Sequence, residues 1–389
     1  MSINVSPERV VDMVLTTTRR AAALLLAVAA ALLAALLAAP SPAQASVLGF
    51  KGVQAGQGWV DFNADGRADY CRLTDAPVCT LSTGTGFGQS WSGPGLDLGY
   101  TAGRAWTDFN GDGRADYCRV VGGVYQSVQC TISTADGFGA TYGSNTIDAG
   151  YDAGRAWVDI NNDNRADYCR VVGGYQLACL RSTGAGFEPT SITSGSIDPG
   201  YDAGRTWTDI NNDNRADYCR IVGGSNKYAQ CTPSTGTGFG LAVSSNALDP
   251  GYDDSRRWAD INNDKRADFC RIVGLWSYSI TCTVSNGASF GSTYSSGLDT
   301  GTAGTSVWAD VNNDGRDDFC RKVGGTATCT LSQGTSFSGH LSANTSNWDT
   351  VGFADFNGSG GADFCHVVSG VPSCTVSNGG SFGTRYGPL

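Results

Sequence analysis

Beyond the first 45 residues, apolar positions come in short runs that alternate with polar ones. No segment there repeats at the spacing of a helix. Ala68–Leu73 is representative: Ala68, Tyr70 and Arg72 fall on one face of an extended strand, and Asp69, Cys71 and Leu73 on the other. A turn-rich stretch separates it from a second run, Val78–Ser82. A Gly-Phe-Gly element (Gly86, Phe87, Gly88) and a third run follow. Ahead of Ala68 lies a short apolar segment with Trp59, joined to it by an Asp-rich loop. The pattern predicts a meander of four strands, A to D, with the Trp on strand A.

The unit then returns. Trp59–Arg72 is repeated from Trp106, Trp157, Trp207, Trp258, Trp308 and, degraded, from Phe353, at intervals of 45 to 51 residues. Seven Gly-rich units of about 49 residues predict an all-β fold, a seven-bladed β-propeller with four antiparallel strands per blade, over residues 46–389. The six Trp residues are read as blade core. The last unit stops soon after Phe382, and Val47-Leu48-Gly49-Phe50 resembles the segment before blade 2. The N-terminal segment is therefore expected to complete blade 7, leaving no open edge.

The Asp-rich loop carries the clearest chemistry. Position 1 is Asp61, Asp108, Asp159, Asp209, Asp260, Asp310 and Asp355. Position 3 is Asn63, Asn110, Asn161, Asn211, Asn262, Asn312 and Asn357. Position 5 is Asp65, Asp112, Asp163, Asp213, Asp264 and Asp314, and position 9 is Asp69, Asp116, Asp167, Asp217, Asp268, Asp318 and Asp363. Alternate oxygen-bearing side chains on a tight turn can converge on calcium, with a backbone carbonyl added from position 7. Position 6 needs a permissive backbone. Gly and Asn supply it, and Lys265 is the awkward case. The competing reading is a metal-free turn, but that leaves three crowded carboxylates uncompensated in six of the seven loops. Ser359 stands at position 5 of the last loop, so about six strong calcium sites are expected, with the seventh weak or absent.

Fourteen cysteines fall two to a unit, one on strand B and one on strand C. Neighbouring antiparallel strands bring such pairs within disulfide range. The expected bonds are Cys71–Cys79, Cys118–Cys130, Cys169–Cys179, Cys219–Cys231, Cys270–Cys282, Cys320–Cys329 and Cys365–Cys374. Zinc is the alternative, but the spacing is not Cys-x-x-Cys and there are only two His.

Charge and the N-terminus set the location. Arg19 and Arg20 precede an unbroken apolar run from Ala21 to Ala39, and Ala43-Gln44-Ala45 is a cleavage signal. Residues 1–45 read as a signal peptide. An uncleaved anchor is the alternative, since the run approaches the ~20 residues that span a bilayer. Removing the segment leaves 23 basic and 34 acidic side chains, a net charge of -11. That acidity excludes nucleic acid as a partner, and no other stretch is apolar enough to insert in a membrane. A secreted protein is expected, and seven calcium ions would bring its charge to +3.

On these motifs the chain resembles FG-GAP/VCBS repeat proteins, whose Asp loop is shared with integrin α-type propellers and with fungal propeller lectins. The resemblance implies a calcium-binding propeller used for adhesion, protein recognition or sugar binding. It does not imply a disulfide in every blade.

Function is expected on the face away from the Asp loops. In a four-stranded meander the B–C and D–A connections share that face. The B–C connections carry Tyr125, Tyr175, Tyr228, Trp276 and Tyr278, and the D–A connections carry Tyr100, Tyr151, Tyr201 and Tyr252, each followed by an Arg. Both sets belong to blades 2 to 5. Such aromatics beside Asp and Arg suit sugar rings. Each Tyr could instead pack between blades. No nucleophile–base constellation appears, and His340 and His366 are unrepeated. The expectation is a non-catalytic, lectin-like module. An adhesion or protein-interaction propeller is the alternative, and a calcium-dependent polysaccharide lyase a more distant one.

Overall fold

Alternating side chains become strand wherever the repeat carries them. The computed structural model describes residues 56–344 and 351–388. They form seven four-stranded antiparallel sheets, each in the order A-B-C-D. In blade 1 strand A is Gly58–Val60, B is Asp69–Leu73, C is Pro77–Ser82 and D is Phe87–Ser92. Strand D is largely exposed, whereas strands A to C are mostly buried. This is the predicted seven-bladed propeller. Helix is confined to one short 3-10 turn, Asp253–Ser255, among the described residues.

The two faces of strand B pack against different neighbours, as the alternation requires. Ala68 and Tyr70 join blade 7, while Cys71 and Leu73 join blade 2. Each of the seven core clusters spans one blade interface. The strand-A Trp lies there beside its own blade's Gly-Phe-Gly ring, as in Trp59–Phe87 at 6.1 Å. That ring meets position 2 of the preceding blade's Asp loop, as in Phe87–Phe356 at 5.0 Å.

Closure differs from the expectation. Blade 7 takes all four strands from its own repeat, Gly352–Ala354, Asp363–Val368, Val371–Ser377 and Phe382–Tyr386. The five residues Phe382–Tyr386 suffice for strand D, so no donated strand is needed. The segment expected to supply one, Val47–Phe50, and the signal segment lie outside the described residues. The ring instead closes side to side. The position-8 amide of each blade donates to the position-1 carbonyl of the blade before, from Ala115 to Asp61 round to Ala362 to Asp310. Ala68 then donates to Asp355 at 2.7 Å and completes the cycle.

All seven disulfides form as paired above, between directly opposed residues of strands B and C. They suit an oxidising compartment. No helix among the described residues is long and apolar enough to cross a membrane.

Candidate functional site: the Asp loops and the aromatic face

The Asp loop folds because its side chains accept the amides that a tight turn leaves unpaired. Asp61 takes the amides of Asp65 and Gly66 at 3.1 and 2.8 Å, and Asn63 Oδ1 also accepts from Asp65. Position 6 has positive φ in all seven loops, including Lys265 at 62°. Position 4 does too, from Ala64 at 59° to Asn313 at 58°, a requirement the sequence reading missed. Asn at position 4 in four of the loops was the available signal.

The carboxylates divide into three environments. Position 5 pairs with the position-7 guanidinium of its own loop, as Asp112 does with Arg114 at 3.1 Å. The pairing recurs in blades 1 to 6 and is lost in blade 7, where Ser359 and Gly361 replace the pair. Position 1 is partly buried, and burial raises its pKa in Asp61, Asp108, Asp159, Asp209, Asp260 and Asp310.

Position 9 is fully buried in every blade. Asp167 Oδ2 accepts from Ile160 N at 3.3 Å, and Oδ1 from Ser182 N at 2.7 Å. It thus braces its loop against the C–D connection. Burial outweighs these bonds and pushes the position-9 carboxyls up to about 7, and Asp268 to about 8.

The donor set is oxygen only, which suits a hard cation. The buried carboxyls also lack compensating positive charge, which a divalent ion would supply. Position 9, however, turns both oxygens to backbone amides. No three acidic, His or Cys side chains converge into a closed cage among the described residues.

The opposite face is built on buried arginines. Arg119 on strand B stacks on Tyr117, its Cζ 5.4 Å from the ring centroid. It donates to Asp97 O at 2.6 Å and Thr131 Oγ1 at 3.0 Å, tying the D–A connection to its blade. Arg170, Arg220, Arg271 and Arg321 hold Asp148, Asp198, Asp249 and Asp299 in the same way. Those Asp side chains cap their own turns, as Gly99 N donates to Asp97 Oδ1 at 2.8 Å. The Arg residues after each Gly-Tyr are likewise spent on backbone carbonyls. Arg205 reaches Pro199, Gly200 and Ala153. Asp and Arg expected beside the aromatics are therefore framework.

The aromatics divide. Tyr100, Tyr201 and Tyr252 give their hydroxyls to Gly122, Gly223 and Gly274 of the B–C hairpins, yet leave the rings 41 to 43% exposed. Tyr151 and Tyr175 are each 53% exposed, and Tyr228 is half-buried. Tyr125 at 79% and Trp276 at 99% stand clear of the surface. Tyr278 crosses Tyr252 at 5.8 Å. The Lys227 ammonium lies 4.0 Å above the Tyr201 ring. His340 Nδ1 bonds with Thr330 Oγ1 at 2.9 Å. His366 is fully buried, and burial takes its pKa down to about 4.

No family model matches the chain, and no curated protein does. Among solved structures it is similar to an Agrocybe aegerita lectin that recognises non-reducing terminal N-acetylglucosamine. The identity is 20%, covering 84% of this chain and 91% of the lectin, with a TM-score of 0.63. It also matches a Photorhabdus luminescens Tc holotoxin pore at 12% identity and TM-score 0.48, over 85% of this chain and 18% of the toxin. The Dos1 propeller matches at 9% identity and TM-score 0.39, over 86% of this chain and 85% of that one. The lectin likeness bears on the fold.

Proposed function

We propose that this chain is a secreted, calcium-loaded, non-catalytic propeller that binds glycans on the face carrying the B–C and D–A connections. The observation that carries the reading is the set of exposed aromatic rings on that face in four consecutive blades. Repeat units that share a core have no structural need for exposed rings in blades 2 to 5 alone. Pyranose rings present an apolar face and a polar edge, which matches rings framed by backbone carbonyls and hydroxyls. The lectin of the same fold supports the direction of the reading.

Calcium would be held by positions 1, 3 and 5 of the loops of blades 1 to 6, with position 9 bracing each loop from inside. The ion would supply charge compensation and rigidity. The residues of the opposite face would then do the binding on a stiff scaffold. The exposed Val124 and Leu275 beside the rings favour a second reading, an apolar protein partner.

A glycan array separates the two. Binding by the intact protein, weakened in Trp276→Ala and Tyr125→Ala and reduced by chelator, is the expected result. Silence on every glycan, with retained capture of an extracellular protein, would overturn the glycan reading.

A further inference from the structure

The loops entering blades 2 to 5 are tied into a chain that stops at blade 6. Arg155, Arg205 and Arg256 each donate Nη1 to the preceding entry loop, at Ala102, Ala153 and Ala203, over 2.8, 3.1 and 3.1 Å. The equivalent residue of blade 6 is Ser306. Its hydroxyl is buried without a hydrogen-bond partner among the described residues. So is the indole N–H of Trp308, whose equivalents in blades 2 to 5 all reach a glycine carbonyl one entry loop back. Beside this break, between the entry loops of blades 4, 5 and 6, lies a cavity of about 690 Å³.

Blade 5 departs from the repeat at the same place. Blades 3 and 4 enter with Gly-Tyr-Asp-Ala-Gly-Arg, then Ala156 or Thr206 before the Trp. Blade 5 reads Gly251-Tyr252-Asp253-Asp254-Ser255-Arg256-Arg257. Ser255 is absorbed by the backbone, accepting from Ile272 N at 3.0 Å and donating to Tyr252 O at 2.8 Å. Asp254 and Arg257 are not absorbed. Both line the cavity, and neither forms an ion pair among the described residues. Arg257 gives one bond to a carbonyl, that of Arg256 at 2.7 Å. A carboxylate and a guanidinium thus line one cavity, where the Asp254 charge acts on Arg257 but the two form no ion-pair contact within 4 Å.

We propose that this cavity binds one pyranose unit of a neutral glycan, with Asp254 and Arg257 reading an adjacent pair of its hydroxyls. The inference rests on the glycan reading above and narrows it to a single site. A carboxylate only accepts and a guanidinium only donates, whereas a hydroxyl does both, so a vicinal diol satisfies the pair. Asp253 is already matched by Arg256 at 2.6 Å. The remaining two charges cancel, which disfavours an anionic or cationic ligand. The exposed ring of Tyr252 supplies an apolar wall. The volume falls within the roughly 300–1,000 Å³ of small-molecule sites.

The test titrates methyl glycosides of glucose, galactose, mannose and N-acetylglucosamine into calcium-loaded protein by calorimetry. The variants are Asp254→Asn and the triple Asp254→Ala, Arg257→Thr, Ser306→Arg, which brings the entry loops of blades 5 and 6 toward the blade 4 pattern. Thermal unfolding checks that each folds. At least one glycoside should bind at one site per chain. The triple variant and Asp254→Asn should lose about tenfold or more, the loss of one charged hydrogen bond. Unchanged binding in the triple variant, or several equivalent sites, overturns the pocket. Array binding lost in Trp276→Ala, with no glycoside bound by the intact protein, overturns the pocket and leaves the broader reading. No glycan bound in either assay overturns both.

Discussion

The Asp-loop face repeats itself, and the hairpin face does not. On the first, the same carboxylates meet the same amides blade after blade, and the ring of position-8 amides passes through every loop. On the second, the buried arginines repeat but the exposed residues change. Repetition marks what the fold needs, and its loss marks where selection acted on something else. The two faces should therefore fail differently when perturbed: one by unfolding, the other by losing a ligand.

The largest effect should come from removing calcium. Extracellular sites with Kd near 10⁻⁴–10⁻³ M, at 10 mM calcium, contribute about 1.4–2.7 kcal/mol each. With about six such sites, chelation should lower the melting temperature sharply. The effect should also depend on pH. Position-9 carboxyls sit near 7 when burial is uncompensated. Their raised pKa makes the metal-free fold less stable above pH 7, and that penalty fades as pH falls toward 4. Chelator should therefore cost more stability at pH 8 than at pH 5.5. Scanning calorimetry at both pH values checks this, and equal losses would break the assignment of metal to this face.

Asp167→Ala and Trp276→Ala sharpen the contrast directly. The first strands two buried amides, those of Ile160 and Ser182, and should cost about 3–5 kcal/mol in urea unfolding. The second removes a ring that is 99% exposed and should change stability by less than about 0.5 kcal/mol. Glycan binding should respond in the reverse order. A large stability loss in Trp276→Ala would mean that the ring is structural.

Blade 7 offers a pH test of the framework itself. His366 replaces the buried arginine, and Arg385 on strand D brings a guanidinium to Thr375 and Asn344 instead. The imidazole is buried and neutral, with its pKa lowered to about 4. A depressed base contributes stability that is full above the unfolded value near 6.5 and is lost as pH falls toward 4. The loss approaches about 3 kcal/mol at 1.4 per unit. His366→Phe should not show it, so the difference between the two pH profiles isolates the effect. Superimposable profiles would place His366 in contact with water or an acid.

Much of this was legible because a repeat is its own alignment. Period, strand faces, disulfide pairs and core Trp all follow from what recurs at fixed spacing. Other features depend on contacts between distant positions. Nothing local to Asp69 says that both oxygens serve backbone amides, because one of those amides belongs to Ser82. Nothing local to Arg385 says that it stands in for an arginine missing at position 366. The N-terminal strand expected to complete blade 7 proved unnecessary, because Phe382–Tyr386 reads as a terminal tail until it pairs with strand C. The charged pair Asp254 and Arg257 was visible as a departure from the repeat, but its meaning depended on Ser306, a blade away.

A smaller gain in stability concerns the one loop whose position 6 resists its own geometry. Lys265 holds φ at 62°, where the other six loops place Gly or Asn. An L-residue with a Cβ there costs roughly 1–2 kcal/mol, and its amide is still needed by Asp260 at 2.7 Å. Lys265→Gly removes the strain but frees the unfolded chain, which returns part of the gain. Lys265→Asn keeps the unfolded chain restricted, and Asn already serves at Asn164 and Asn214 in the same conformation. Lys265→Asn should therefore stabilise by about 0.5–1 kcal/mol, and Lys265→Gly by no more. Urea unfolding at saturating calcium measures both. If both variants destabilise, the lysine contributes something that the loop geometry does not reveal. In that case the Asp-loop face would be less uniform than its repeats suggest.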